Sequence, residues 1–274
     1  MNSSYKTKKA LHRILLCGIG YSVYFLSYGL YMLFSPFLLL LSFSPELMYK
    51  AARTVNRSFL FFLTRIFLPC LHIYKIAEKP SFEGIKDDLP KIFVANHRSR
   101  LDGPIIIPFL KKTGVVIKTS YARLPVFSSF VKHLDYVSVS SDSVATMATA
   151  INKCKEMFRS GSSILIFPEG TRSRSARLMS FKDLAFRLSI ETGYPVIPVV
   201  VHSECPFMAK IPGSLVPPFR MNFTIRDLPP MVPEKDERAS HFADRVRKRM
   251  MEEIRILDKG TVWDPDQINR EEAQ

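Results

Sequence analysis

Ile92-Phe93-Val94-Ala95-Asn96-His97-Arg98-Ser99-Arg100-Leu101-Asp102-Gly103-Pro104 is the stretch from which the rest of the chain can be ordered. Four apolar residues lead directly into Asn96 and His97, which by length and content is a short buried strand. A polar turn follows, and Asp102-Gly103-Pro104 opens a second apolar segment, Ile105-Ile106-Ile107. Asp before Gly-Pro reads as a helix start, with the Asp as N-cap and the Pro in the first turn, where a missing N–H costs nothing. A buried strand followed at once by a helix is what an α/β chain repeats. The same residues admit a chemical reading, because a His and an Asp at the mouth of a strand make a base-and-orienter pair. Whether Asp102 is a cap or an orienter stays open at this point.

Beyond this stretch the alternation continues. Short apolar runs at 115–118, 136–139, 164–167 and 196–201 predict further buried strands. Between them, Val144, Met147, Ile151, Cys154 and Phe158 form one apolar helical stripe, and Phe181, Leu184, Ala185 and Leu188 another. A run at 220–226 alternates apolar and polar residues and predicts an edge strand. Phe242, Val246, Met250, Ile254 and Leu257 then mark a long amphipathic helix. The expected fold class is α/β: a mixed, mostly parallel sheet flanked by helices on both faces, with an N-terminal apolar helical membrane-contacting region.

That N-terminal region is read from charge. Lys6, Lys8, Lys9 and Arg13 precede a stretch, 14–45, with no charged residue at all. This exceeds the roughly 20 residues needed to cross a bilayer. Pro36 interrupts it and Lys50, Arg53 and Arg57 follow, so both flanks are basic and no orientation results. Two arrangements are expected: one spanning helix at 14–34, or a hairpin dipping into one leaflet. Residues 53–72, where Phe59, Phe61, Phe62, Phe67 and Leu71 mix with Arg57 and Arg65, read as a helix in the interface plane, or as an ordinary amphipathic core helix. The chain divides into a membrane-associated region at 1–75, a domain at 76–258, and a polar, loose tail at 259–274 whose Trp263 has no assigned role. Lys+Arg 39 against Asp+Glu 25 gives a net charge of +14, which suits an acidic partner: a membrane surface, nucleic acid or a phosphorylated substrate. Cys17, Cys70, Cys154 and Cys205 are scattered without C-x-x-C spacing, which argues against a disulfide framework and a zinc site.

In open α/β sheets, ligands collect beyond the carboxyl ends of the strands. Three such ends carry chemistry here: His97 after the first strand, Lys118 closing the second, and Phe167-Pro168-Glu169-Gly170-Thr171-Arg172-Ser173 after 164–166. A base, a point cation and a Gly-containing loop with an Arg are thus expected on one rim. Arg takes phosphate bidentately and Lys takes it as a charge. There is no G-x-S-x-G, G-x-x-x-x-G-K-[ST] or H-E-x-x-H pattern, and no metal ligand set is expected. Ser99 lies too near His97 along a tight turn to serve as its nucleophile, while His133 and His202 read as structural.

Asn96-His97-Arg98-Ser99-Arg100-Leu101-Asp102 resembles the N-H-x-x-x-x-D block of the glycerolipid acyltransferase family, and Phe167 to Ser173 resembles its F-P-E-G-T-R-S block. Val196-Ile197-Pro198-Val199 is similar to the family's last apolar-Pro block, and Phe82-Glu83-Gly84 to its lead-in, so the likeness spans about 79–201. One departure stands out. Where the family carries a Gly and then an Arg around its third strand, Leu134 to Ser141 has neither. That Arg is associated with the acceptor, and the nearby Arg98, Arg100, Arg123, Arg174 and Arg177 have two uses open to them: replacing it, or docking on anionic lipid.

The resemblance implies acyl transfer from acyl-CoA or an acyl carrier protein to a lysolipid hydroxyl, foremost 1-acyl-sn-glycerol-3-phosphate giving phosphatidic acid, with no cofactor beyond the thioester co-substrate. His97 would be the base and Asp102 its orienter. Lys118 and Arg172 would hold the acceptor's anionic head, and Glu169, Gly170 and Thr171 would help place it. Backbone N–H groups near the Asp102 helix start are candidates for the oxyanion. The expected place of work is the cytoplasmic face of a membrane. Three rival readings are another lyso-acceptor (a lyso-ornithine lipid or lysophospholipid), a non-catalytic lipid-binding relative, and a nucleic-acid binder. The last lacks any basic aromatic-interleaved or recognition-helix pattern, so no nucleic acid partner is expected.

Overall fold

A computed structural model describes residues 3–34, 44–82, 85, 89–123, 136–139, 144–174, 177–217 and 219–264. Seven strands form one sheet: β1 (Tyr74–Glu78), β2 (Ile92–Ala95), β3 (Thr113–Lys118), β4 (Val137–Val139), β5 (Ser163–Ile166), β6 (Val196–Ser203) and β7 (Met221–Asp227). Their order across the sheet is β1-β7-β6-β2-β5-β3-β4. All neighbours run parallel except β6 and β7, so the expected mixed, mostly parallel sheet is what forms.

The sheet is buried on both faces, and its central strands show why they read as unbroken apolar runs. Phe93, Ala95, Leu165, Ile197 and Val199 project to one side, where Leu101, Ile105, Ile106, Leu63 and Leu68 cover them. Ile92, Val94, Ile164, Ile166, Val196 and Val200 project to the other, against Cys154, Phe158, Phe186, Phe242, Val246 and Met250. Side chains alternate by two along a strand, so a strand with covers above and below has no polar face to show. The second cover comprises α5 (Val144–Arg159), α6 (Leu184–Thr192) and α7 (Ala239–Asp258). Gly193, in the left-handed region at φ 73°, ends α6 and turns the chain into β6.

Residues 220–226 do not make an edge strand. β7 lies between β6 and β1, and its burial alternates along the strand. That edge is taken by β1, a strand not named from the sequence, which straddles the boundary drawn at 75/76. Its Tyr74 packs edge-on against Phe223, with ring centroids 5.1 Å apart.

α1 (Ser3–Phe34) is a single helix of 32 residues. No helix among the described residues is long and apolar enough to cross a membrane. The second arm of a hairpin falls on 35–43, outside the described residues. One side of α1 docks on the domain, burying Cys17. Arg13 Nη1 donates to the His72 carbonyl at 2.9 Å, and the Tyr21 hydroxyl to the Leu215 carbonyl at 2.7 Å. Next, α2 (Pro45–Phe61) runs into a π-helical turn, Phe62–Phe67. Within 53–72, Leu60, Leu63 and Leu68 are core, while Phe61, Phe62 and Ile66 are exposed, so the segment is amphipathic.

The end of the chain is not loose as far as Asp264. Trp263 is 4% exposed and its indole Nε1 donates to the Ser203 carbonyl at 2.8 Å. The apolar bulk of the ring overrides the polarity of its neighbours.

Candidate active site

β2, β5 and β3 are adjacent parallel strands, so the turns that follow them lie on one rim of the sheet. This brings the His97 turn, the Glu169 loop and Lys118 to the same edge, as the strand ends predict. β2 stops at Ala95 because Asn96 replaces the strand's own pairing. Its side chain donates to the Val201 carbonyl at 2.9 Å and accepts from the Val201 N–H at 2.8 Å. The backbone is thereby freed to turn at His97.

Asp102 is not the N-cap of its helix. It is the first residue of α3 (Asp102–Ile106), with Leu101 at the cap position. Its carboxylate looks back into the turn rather than forward along the helix. Oδ2 accepts from the Arg98 N–H at 2.8 Å and the Ser99 N–H at 2.7 Å, and lies 2.9 Å from His97 Nδ1. The Arg98 and Ser99 N–H groups are therefore taken and do not serve an oxyanion. The Asp102 side chain is 2% exposed and that of His97 24%, so a buried carboxylate backs a ring that still reaches solvent. Nδ1 faces Asp102, which leaves Nε2 as the nitrogen open to a reacting group. The Phe167 ring covers one side of the imidazole at 4.5 Å between centroids.

The loop after β5 grips the His97 backbone at both ends. Glu169 Oε1 accepts from the His97 N–H at 2.8 Å, and the His97 carbonyl accepts from the Ser173 N–H at 2.7 Å. The second Glu169 oxygen accepts from the Met179 N–H at 3.0 Å. Burial pushes the Glu169 carboxyl up, with those two amides opposing. Gly170 sits in the left-handed region at φ 65°, and a Cβ there would lie 3.1 Å from the Lys182 side chain. Thr171 is half-buried beside it.

Arg172 is half-buried and donates from Nη1 to the Met208 carbonyl at 2.9 Å. Burial first, and the charge of Arg100 second, lower its pKa, while Tyr121 and Asp102 raise it. The Met208 carbonyl also accepts from the Arg100 N–H at 3.1 Å, so Arg172 and Arg100 meet at one carbonyl. Lys118 is exposed at the end of β3, immediately before a helical turn, α4 (Thr119–Ala122), that carries Tyr121. Of the basic cluster, Arg98 must be withdrawn. It is buried and paired with Asp258, so it is available neither to an acceptor nor to a lipid surface. Ser99 is structural, its hydroxyl donating to the Phe207 carbonyl at 2.6 Å. His202 is buried against Asp258, while His133 lies outside the described residues.

The family model described as Acyltransferase matches residues 79–202, the segment that holds every one of these rim residues. Residues 79–202 are thus similar to that family. Its curated relatives include a chloroplast 1-acyl-sn-glycerol-3-phosphate acyltransferase of Arabidopsis thaliana, 30% identical over 127 residues, 45% of this chain and 36% of that protein. Another, from Borreliella burgdorferi, carries the same enzyme name and is 30% identical over 129 residues, 45% of this chain and 52% of that protein. The chain thus spans about a third to a half of the length of these curated relatives. The fold itself is matched by the crystal structure of the 1-acyl-sn-glycerophosphate acyltransferase PlsC from Thermotoga maritima. The TM-score is 0.70 at 22% identity, covering 92% of this chain and 98% of that one.

Asn96, Glu169 as a backbone clamp, the Met208 carbonyl and the Arg98–Asp258–Trp263 group are what sequence reasoning missed. For Asn96 and Glu169 the signal was present as position within the two motif blocks. For Asp258 and Trp263 there was none, because they meet Arg98 only through the tertiary fold.

Proposed function

We propose that the protein moves a fatty acyl group from a thioester donor to the free hydroxyl of a membrane-borne lysolipid, with 1-acyl-sn-glycerol-3-phosphate as acceptor and phosphatidic acid as product. The observation that carries this is the His97 imidazole held 2.9 Å from a buried carboxylate, with Nε2 left unpaired by it, at the end of a strand whose parallel neighbour β5 leads into the Arg172 loop. His97 Nε2 takes the hydroxyl proton as the acceptor oxygen bonds to the thioester carbonyl carbon. The C–S bond then breaks and the proton passes to the departing thiolate. Asp102 keeps the proton on Nδ1 and stabilises the imidazolium formed in between. Arg172, with Lys118 farther out, attracts the acceptor phosphate, so the hydroxyl is presented rather than encountered. The donor is acyl-CoA or an acyl carrier protein, both acidic, and no cofactor beyond that thioester is needed.

The acceptor and product both live in lipid, and the proposal places the domain on the cytoplasmic face of a membrane. Leu11, Ile14, Leu15, Phe25, Leu26 and Leu33 of α1 are exposed, as are Phe61, Phe62 and Ile66. That much apolar surface, on a chain of net charge +14, suits an anionic bilayer.

The test is mass spectrometry of the lipids made by the purified protein from lysophosphatidate, a lyso-ornithine lipid and other lysophospholipids, each with both donors. His97→Ala should lower turnover by about 10²–10⁴-fold. Asp102→Asn should lower it as well, by favouring the wrong tautomer. Near-wild-type turnover in His97→Ala would falsify the mechanism, and product from the other acceptors alone would reassign the substrate.

A further inference from the structure

Arg98 follows His97 directly, and its two halves have different tasks. Its backbone N–H donates to Asp102 Oδ2 at 2.8 Å and so belongs to the cradle behind the imidazole. Its side chain turns the other way into the protein. There Nη1 meets Asp258 Oδ1 and Nη2 meets Asp258 Oδ2, both at 2.8 Å, with each side chain only 4% exposed. His202 Nε2 lies 3.1 Å from the same Oδ1. The Trp263 ring covers the guanidinium at 4.8 Å.

Asp258 is oddly placed for a helix. It is the last residue of α7, where the macrodipole is negative and a carboxylate is unfavourable. Helix stability does not ask for it, whereas a buried guanidinium does. The chain then folds back sharply. The Thr261 N–H and hydroxyl both donate to the Asp258 carbonyl, at 2.9 and 2.7 Å, and this return lays Trp263 on Arg98. Two side chains from the end of α7 and the turn after it, Asp258 and Trp263, thus converge on the residue next to the base, and both are buried.

We propose that Asp258 and Trp263 are positioning residues for the reaction: by anchoring the Arg98 side chain they hold the Arg98 N–H, and through it Asp102 and His97, in reacting geometry. The inference rests on the acyl-transfer reading above. Its physical basis is that a buried guanidinium stripped of its partner must move toward water. Arg98 cannot do so without pulling the backbone to which Asp102 is bonded. Small displacements of a reacting group are costly, with about 1 Å worth up to 10²-fold in rate.

Asp258→Asn in the full-length chain keeps the shape and removes the charge. Assayed with lysophosphatidate and acyl-CoA, it should lose about 10–100-fold in kcat with both KM values within about twofold of wild type. Trp263 is the chain's single tryptophan, so its emission should move to the red as the ring loses its seat. Wild-type kcat accompanied by that red shift would overturn the proposal. If Asp258→Asn does not fold, the double variant Arg98→Met with Asp258→Leu removes both buried charges. There the melting temperature should recover while kcat stays low, and recovery of both would make the network merely structural. Trp263→Phe should retain more kcat than Trp263→Ala, because it keeps an aromatic face on the guanidinium; equal losses would overturn the part given to Trp263. A wild-type protein that acylates no lysolipid would instead sink the acyl-transfer reading, so the two failures are distinguishable.

Discussion

Glu169 spends both carboxylate oxygens on backbone amides, those of His97 and Met179, and so acts on the base through the chain rather than through the solvent side of the site. Glutamine keeps its shape but replaces one acceptor with a donor, leaving one of those N–H groups facing an NH2. A buried donor without a partner costs about 1–3 kcal/mol, so Glu169→Gln should melt lower and turn over more slowly. Acidity adds a second reading. Burial raises the carboxyl's pKa in the folded state, so between the ordinary value of 4.5 and the folded one the native protein holds more protons than the unfolded chain. Stability then falls as pH rises through that window. The melting-temperature gap between wild type and Glu169→Gln, which has no such titration, should therefore widen as pH is lowered from neutral toward 4.5. A gap that narrows would mean that the amide bonds outweigh burial.

At the scale of elements, the catalytic turn depends on how β2 leaves the sheet. A parallel strand that ends beside its neighbour strands backbone groups, and here the Asn96 amide satisfies both polar groups of Val201. Asn96→Ala would leave a buried N–H and a buried C=O of β6 without their partner. At about 1–3 kcal/mol for each buried group, a loss of roughly 2 kcal/mol or more is expected in denaturant unfolding. The rate should fall too, because the turn that begins at His97 is no longer tied to the sheet. An unchanged midpoint would show that ordered water replaces the amide. α3 makes a complementary point. At five residues it is too short to stand alone, and it is held by Ile105 and Ile106 in the core, so Asp102 is fixed by packing behind it as well as by bonds in front.

At the scale of the whole molecule, α1 and α2 cover one face of the sheet and still present apolar side chains outward. Phe61 is 51% and Phe62 48% exposed. Full burial of such a ring is worth about 1.5–3 kcal/mol, and burying the exposed half of each gives about 2 kcal/mol for the pair. Phe61→Ser with Phe62→Ser should therefore weaken association with anionic vesicles by roughly 30-fold, since about 1.4 kcal/mol is tenfold. Sedimentation at high salt, where charge attraction is screened, isolates this term. Binding unchanged under those conditions would place the membrane contact elsewhere, while solution turnover of a short-chain acceptor should survive the substitution.

Local order and the two motif blocks were open to reading along the chain, because a buried strand, a tight turn and a Gly-containing loop each have a signature spanning a few neighbouring residues. On that basis the α/β class, the central strands and the meeting of His97, Asp102, Lys118 and Arg172 on one rim all follow from periodicity and strand ends. Which face a group looks toward does not, since that is set by what packs against it. Thus Asp102 turns back into its own turn, Arg98 is taken inward by Asp258, β1 rather than β7 closes the sheet, and Trp263 is core in a polar tail. Each of these depends on contacts between residues distant in sequence, and burial free energy is settled only when the partners arrive. The chain by itself names the candidate groups; their aim is given by the fold.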